Sequence, residues 1–211
     1  MMRCLLMANG VYGDIAIYYE MAHRVDLVVC ADGGANFAYQ MGITPDCIVG
    51  DLDSIRPEIR EYFANQGVRF IVYPAAKDYT DFQLALEAAE EMGADEIILI
   101  GTLGGRLDHT LANLYICIDA VQKDKKIIHF GPDVTIYMTN SRLRLQGRAG
   151  DLVSIMALTE KASGITLGNF AFPLQEAELY TKNPIGVSNR MTTDTAEISV
   201  GEGILVVFHY Q

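Results

Sequence analysis

The chain has 211 residues, half of them hydrophobic and a fifth charged, with a formal net charge of −11. That balance suits a globular fold with a substantial buried core, and the lack of any basic stripe excludes a nucleic-acid binder. Acidity leaves phosphate substrates open but makes a divalent cation their go-between, because bare carboxylates repel polyphosphate.

No run approaches the roughly 20 apolar residues of a membrane span, so no membrane partner is expected. The opening MMRCLLMANG has too short an apolar stretch for a signal peptide. Cys4, Cys30, Cys47 and Cys117 stand isolated, mostly in apolar stretches, with no C-x-x-C pair. Neither a zinc site nor a disulfide framework follows; buried free thiols in a reducing compartment do, and the expected location is cytoplasmic.

In chain order, the first ~130 residues alternate short apolar runs with helical patterns. Strands are expected at Cys4–Ala8, Leu27–Ala31, Cys47–Gly50, Arg69–Tyr73, Glu96–Ile100 and Lys126–Phe130. Between them, Ile55, Ile59, Tyr62 and Phe63 follow helical spacing, with Pro57 near the start and Gly67 where a C′ residue belongs. Leu107, Leu111, Leu114 and Ile118 form a second stripe. Alternating β and α units imply a parallel sheet with helices on both faces, a Rossmann-like α/β domain.

After Gly131-Pro132 the texture changes. Val134–Met138, Arg142–Leu145, Leu152–Leu158, Gly164–Leu167, Ala196–Val200 and Ile204–His209 read as strands, and no useful helical stripe remains. Ala196, Ile198 and Val200 alternate with Glu197 and Ser199, as in a strand with one wet face. The expected division is an α/β domain over residues 1–131 and an all-β sandwich over residues 132–211.

In open α/β sheets ligands bind at the carboxyl ends of the strands. The strand 27–31 ends in Asp32-Gly33-Gly34, a carboxylate and two glycines that admit a close backbone approach; a plain tight turn explains them equally. The strand 47–50 ends in Asp51-Leu52-Asp53-Ser54. In extended geometry Asp51 and Asp53 point to one side and can share a hard cation such as Mg²⁺; the alternative is that Asp53 or Ser54 caps the next helix. Lys77-Asp78-Tyr79-Thr80-Asp81 follows the next strand, with Thr80 and Gln83 spaced as a capping box and Asp81 in the first helical turn. The last of these strand ends, Gly101-Thr102-Leu103-Gly104-Gly105-Arg106-Leu107-Asp108-His109, suits phosphate cradled by backbone N–H groups and a guanidinium fork, although it is not a Walker A loop. His109 there serves either as a general base or as a helix-start imidazole. Each signal is weak alone; four successive loaded strand ends are not.

ADGGAN (31–36), GDLDS (50–54), KDYTDFQLAL (77–86) and GTLGGRLDHTLANL (101–114), in this order, resemble the thiamin pyrophosphokinase family. Gly186-Val187-Ser188-Asn189 and the terminal Ala196–Ser199 and Glu202–Leu205 segments add to the resemblance, which covers nearly the whole chain. It implies a kinase that transfers the terminal diphosphate of ATP to the hydroxyethyl group of thiamin, giving thiamin diphosphate and AMP. It further implies a homodimer with active sites between subunits, the N-terminal domain holding ATP and metal and the C-terminal one binding thiamin and dimerising. Carried onto this chain, the metal-binding acids are Asp32, Asp51, Asp53 and Asp81, and the catalytic set is Asp51, Asp53, Asp81 and Asp78, with Asp78 assisting through water or a hydrogen bond. The ATP site comprises Lys77, Gly101, Thr102, Gly104, Gly105, Arg106, Asp108 and His109, and the thiamin site Ser188 and Asn189. Some members stack a C-terminal tryptophan on thiamin; this chain has none, so either Phe170, Phe172 or Tyr180 replaces it or the pocket is less aromatic. The rival expectations are a phosphotransferase acting on another vitamin-like alcohol and a non-catalytic thiamin or nucleotide sensor, for which so many phosphate-repelling acids would have no use.

Overall fold

The computed structural model describes residues 1–76 and 78–210. It divides into two compact units, Met1–Cys117 with His129–Pro132, and Ile118–Ile128 with Asp133–Gln211.

In the first unit the elements run β1 (Met2–Met7), α1 (Ala16–Ala22), β2 (Leu27–Ala31), α2 (Gly34–Gln40), β3 (Cys47–Gly50), α3 (Pro57–Asn65), β4 (Arg69–Val72), α4 (Asp81–Glu91), β5 (Ala94–Ile100) and α5 (Leu107–Ile116). The strands pair in parallel in the order β5-β1-β2-β3-β4. Three steps run one way from β1, and the connection through α4 then returns to its other edge. The topological switch therefore lies between β1 and β5, where open α/β sheets bind ligands.

Side-chain alternation divides the core. Leu5, Met7, Val28, Cys30 and Ile48 pack with Tyr18 of α1, Ala35 and Ala38 of α2, and Ile59 and Phe63 of α3. The intervening Cys4, Leu6, Val29 and Cys47 are buried too. Cys47 Sγ lies 3.8 Å from Met92 Sδ at the C-cap of α4, the helix that packs on β1, β2, β3 and β5. Strands covered on both faces read as continuous apolar runs, which is why β2 and β3 fall where the sequence places them. Pro57 opens α3, and Gly67 follows its cap with φ +78°.

The second leucine stripe behaves otherwise. Leu107 and Leu111 are 76% and 54% exposed, and Ile118 lies beyond the end of α5. Within α5 only Leu114 and Asn113 are buried, so helical spacing marks a face here that is left largely exposed.

In the second unit, α6 (Ile118–Gln122) and the start of β6 (Lys126–Phe130) precede β7 (Val134–Thr139), β8 (Arg142–Gln146), β9 (Leu152–Ala157), β10 (Lys161–Gly168), β11 (Leu174–Tyr180), β12 (Asn189–Arg190), β13 (Thr195–Ser199) and β14 (Leu205–Tyr210). The last two residues of β6, His129 and Phe130, belong to the first unit. Antiparallel ladders order β12-β9-β14-β7 and β11-β10-β13-β8. Their inner residues, among them Val153, Ile155, Ile165, Ile198 and Val207, form one core, as a sandwich requires. Two strands have no counterpart in the sequence reading. β11 is an edge strand with the polar run LQEAELY, and its register against β10 shifts twice, so no period of two survives. β12 is two residues long. No helix among the described residues is long and apolar enough to cross a membrane.

Candidate functional site

The switch point opens into a cleft of about 880 Å³, entirely within the first unit, lined by the loops after β1, β2 and β5 and by the start of α4. Asp32, Asp81, Thr102, Arg106, Asp108 and His109 all line it.

Asp32 follows β2 in a left-handed conformation, φ +42°, and is only 7% exposed. Burial pushes its carboxyl above the usual range and the Asp81 charge adds to this, while hydrogen bonds from Ser54 and Gly33 oppose it. The two glycines after it serve packing: a side chain at Gly34 would collide with the Met7 carbonyl, and one at Gly33 with the Asn9 amide. The close approach is thus to β1, which seats the start of α2 against the sheet.

Asp51 and Asp53 do not sit on an extended strand. β3 ends at Gly50, and Leu52 turns into the left-handed region with φ +66°. The turn is tied by the Asp53 N–H donating to Asp51 Oδ1 (3.2 Å) and the Ser54 hydroxyl to Asp53 Oδ1 (2.9 Å). Helix capping is not their role either, since α3 is preceded by Arg56 and takes no side-chain cap. The turn brings one oxygen each of Asp32, Asp51 and Asp53 within 4.8 Å of one another. Three hard oxygens so gathered fit Mg²⁺ or a similar cation by donor chemistry.

Asp81 opens α4, whose N-cap Thr80 accepts from the Gln83 N–H at 3.1 Å, as the capping spacing predicts. Gly50, with φ +149°, lies between this acid and Asp32; a Cβ there would stand 2.9 Å from Asp81 Oδ1 and 3.0 Å from Asp32 Cβ. The glycine is what lets the acids of β2 and α4 flank β3. Asp78 is exposed on the turn before α4, outside the three-acid group. Lys77 lies outside the described residues.

The loop after β5 is held by its carbonyls. Gly101 O accepts from the Gly10 N–H (2.7 Å), Leu103 O from the Val11 N–H (3.3 Å), and Thr102 O from Asn113 Nδ2 (2.9 Å). Gly101, Gly104 and Gly105 all have left-handed φ, and the last two are exposed in the cleft wall. Arg106 stands at the N-cap of α5 and donates through both Nε and Nη2 to Asp108, holding that carboxyl down at about 2. His109 is exposed in the first turn of α5 and lines the same wall.

In the second unit, Ser188 is exposed in a left-handed turn, φ +64°, its N–H donating to Ser154 Oγ (3.0 Å). Asn189 is buried, and its amide is spent on backbone: Nδ2 donates to Phe172 O (2.8 Å), while Oδ1 accepts from the N–H groups of Phe172 (3.0 Å) and Arg190 (2.9 Å). The clamp presents Phe172 at 69% exposure, whereas Phe170 is buried in the sandwich and the Tyr180 hydroxyl donates to Glu178.

Sequence reasoning missed the loop after β1. Ala8, Asn9, Gly10 and Val11 line the cleft, and Asn9 packs on Gly33. The signal was an Asn-Gly pair at the end of an apolar run, on the same edge as the other loaded strand ends.

The fold and the cleft define a class: an α/β unit with acids and a glycine-rich loop at its switch point, followed by a β-sandwich. Family models agree on which member. One described as thiamin pyrophosphokinase, catalytic domain, matches residues 18–129, and one described as thiamin pyrophosphokinase, vitamin B1 binding domain, matches residues 140–205. The chain belongs to the thiamin pyrophosphokinase family of enzymes. It is 28% identical to the thiamine pyrophosphokinase of Bacillus subtilis over 183 residues, covering 86% of each protein. It is 35% identical to thiamine pyrophosphokinase 1 of Oryza sativa over 114 residues, which span 44% of this chain and 43% of the rice protein. The crystal structure of the Bacillus subtilis thiamine pyrophosphokinase superposes with a TM-score of 0.85 at 25% identity, over 99% of both chains.

Proposed function

We propose that this chain transfers the terminal diphosphate of ATP to the hydroxyethyl group of thiamin, giving thiamin diphosphate and AMP. The observation that supports this most is the meeting of Asp32 and Asp81 with the anchored loop after β5 in one cleft of a family member, with Asp51 and Asp53 gathered beside Asp32. Asp32, Asp51, Asp53 and Asp81 are the residues that would hold Mg²⁺, with Asp78 helping through water. When bound, the ion supplies charge neutralisation at the diphosphate oxygens.

The chain's own residues do the rest. Backbone N–H groups along Gly101, Thr102, Gly104 and Gly105 receive the phosphates, and Arg106 adds its guanidinium fork once phosphate displaces Asp108. His109 lies on the same wall, and Lys77 joins this set by its place in the sequence. In-line attack by an alcohol through a loose transition state asks mainly for alignment and charge stabilisation, so no dedicated base is required.

Residues 1–131 form the ATP- and metal-binding part of this reading, and residues 132–211 the thiamin-binding and dimerisation part. Ser188 contacts thiamin directly, and Asn189 acts by presenting the Phe172 ring in the place of the family's tryptophan. The active sites lie between the subunits of a homodimer. Exposed Phe172, Ile185 and Val187 beside Ser188, and exposed Leu107, Leu111 and Tyr115 along α5, are surfaces such an assembly would cover. A cytoplasmic location accords with four buried free thiols.

The test is phosphorus NMR of the protein with ATP, Mg²⁺ and thiamin. AMP and a new diphosphate ester should appear together, only when thiamin is present; ADP as the sole nucleotide product would overturn diphosphate transfer.

A further inference from the structure

Behind the phosphate-side loop runs a buried polar chain that the functional reading leaves without a role. His129, near the end of β6, is fully buried. Its Nδ1 shares a 2.9 Å hydrogen bond with Thr102 Oγ1, and its Nε2 lies 3.7 Å from Cys117 Sγ. We infer that His129 is a positioning residue for the nucleotide: through Thr102 it fixes the loop Gly101–Gly105 in the shape that receives phosphate.

This rests on the diphosphotransferase reading and extends it behind the cleft wall. Three of the loop's five residues are glycines in left-handed conformations, which carry the largest backbone freedom to be lost on ordering. Leu103 is apolar, so the Thr102 hydroxyl is the loop's one side-chain hydrogen-bonding handle. It points inward, 3% of the residue being exposed, while Asn113 holds the carbonyl of the same residue.

A neutral imidazole has one donor and one acceptor, and this site offers a partner for each. Burial pushes His129 down to about 3, and burial likewise raises the Cys117 thiol, so both stay uncharged at neutral pH. In either tautomer the bonds run in one sense through the chain, from thiol to imidazole to hydroxyl or the reverse. A fully satisfied buried network of this kind specifies one geometry, and losing one member strands the others.

The experiment measures KM for ATP, KM for thiamin, kcat and the Kd of Mg-ATP by calorimetry for Thr102→Val, Thr102→Ser, His129→Leu, His129→Asn and Thr102→Val/His129→Leu. Loss of the hydroxyl or imidazole should raise KM and Kd for ATP about three- to tenfold, the scale of one buried hydrogen bond. The changes in kcat and in KM for thiamin should stay within about twofold, because the chemistry does not touch these groups. Thr102→Ser and His129→Asn, which keep a polar partner, should recover most of the loss, and the double variant should be no worse than the poorer single one. An unchanged Kd for Mg-ATP in folded Thr102→Val overturns the inference, and so do additive effects in the double variant. If His129→Leu fails to fold, the Val–Ser contrast at position 102 decides the matter alone. Failure of the parent chain to release AMP would instead overturn the functional reading, while the calorimetric Kd values still test the role of His129.

Discussion

On one side of the site, where Asp32 and Asp81 line the cleft and flank Gly50, one oxygen each of Asp32, Asp51 and Asp53 lies within 4.8 Å of the others. On another, the loop from Gly101 has the carbonyls of its first three residues and its threonine hydroxyl bound by groups of the same unit. The acidic wall is gathered by a constrained backbone: Asp32, Gly50 and Leu52 all have positive φ. The loop wall is gathered by hydrogen bonds that are already complete. The first arrangement sets carboxylates side by side, whereas the second is tied by hydrogen bonds within its own unit. Substitutions on the two walls should therefore fail differently.

The largest effect is expected from Asp51→Asn or Asp53→Asn. Turnover should fall at least ~100-fold, on the scale of losing one charge-stabilising contact in a transition state, with an unchanged circular dichroism spectrum. Melting in the absence of metal should occur at a higher temperature than in the parent, because repulsion is relieved. Near-normal activity of both variants at modest Mg²⁺ would show that these acids are not the metal platform.

Gly50→Ala comes next. It combines a left-handed backbone with a Cβ lodged between Asp32 and Asp81, and should cost about 1–3 kcal/mol of stability as well as activity. A thermal melt equal to that of the parent would mean that the acids have room to separate.

On the loop wall, His129 links stability to pH. Its folded value of about 3 lies below the ordinary histidine value, so between the two the unfolded chain binds more protons. Stability is then full above roughly pH 6.5 and declines as pH falls, by up to about 1.4 kcal/mol per pH unit for this group. The fall in melting temperature between pH 6.5 and 4 should be shallower in His129→Asn than in the parent; parallel curves would remove His129 as its source.

The smallest effect belongs to Asp108→Asn. It frees Arg106 from an exposed pair, so the melting temperature should not move, and KM for ATP should shift by less than about threefold. A large drop in melting temperature would show that the pair anchors the start of α5.

The elements most legible in the sequence are those buried on both faces or bounded by distinctive residues. β2 and β3 show as apolar runs, and α3 and α4 announce their starts through Pro57 and the Thr80–Gln83 box. β11 was invisible because an edge strand with a slipped register keeps neither an apolar run nor an alternation. The leucine stripe of α5 misled for a related reason: spacing marks one helical face but does not say whether anything covers it. Asp51 and Asp53 come near Asp32 through the left-handed turn at Leu52, a geometry that strand alternation does not describe.

By itself the sequence determined the α/β-then-β order, the family, and which strand ends bear acids or glycines, because those features rest on local pattern and residue type. Only the tertiary structure decided which of them meet. That β5 returns beside β1 places the Asn9 loop in the cleft, and that Gly50 lacks a side chain lets Asp32 and Asp81 flank one strand. That β6 carries His129 behind Thr102 ties together groups 27 positions apart. Such contacts depend on chain crossings and close approaches between distant segments, which no local spacing encodes.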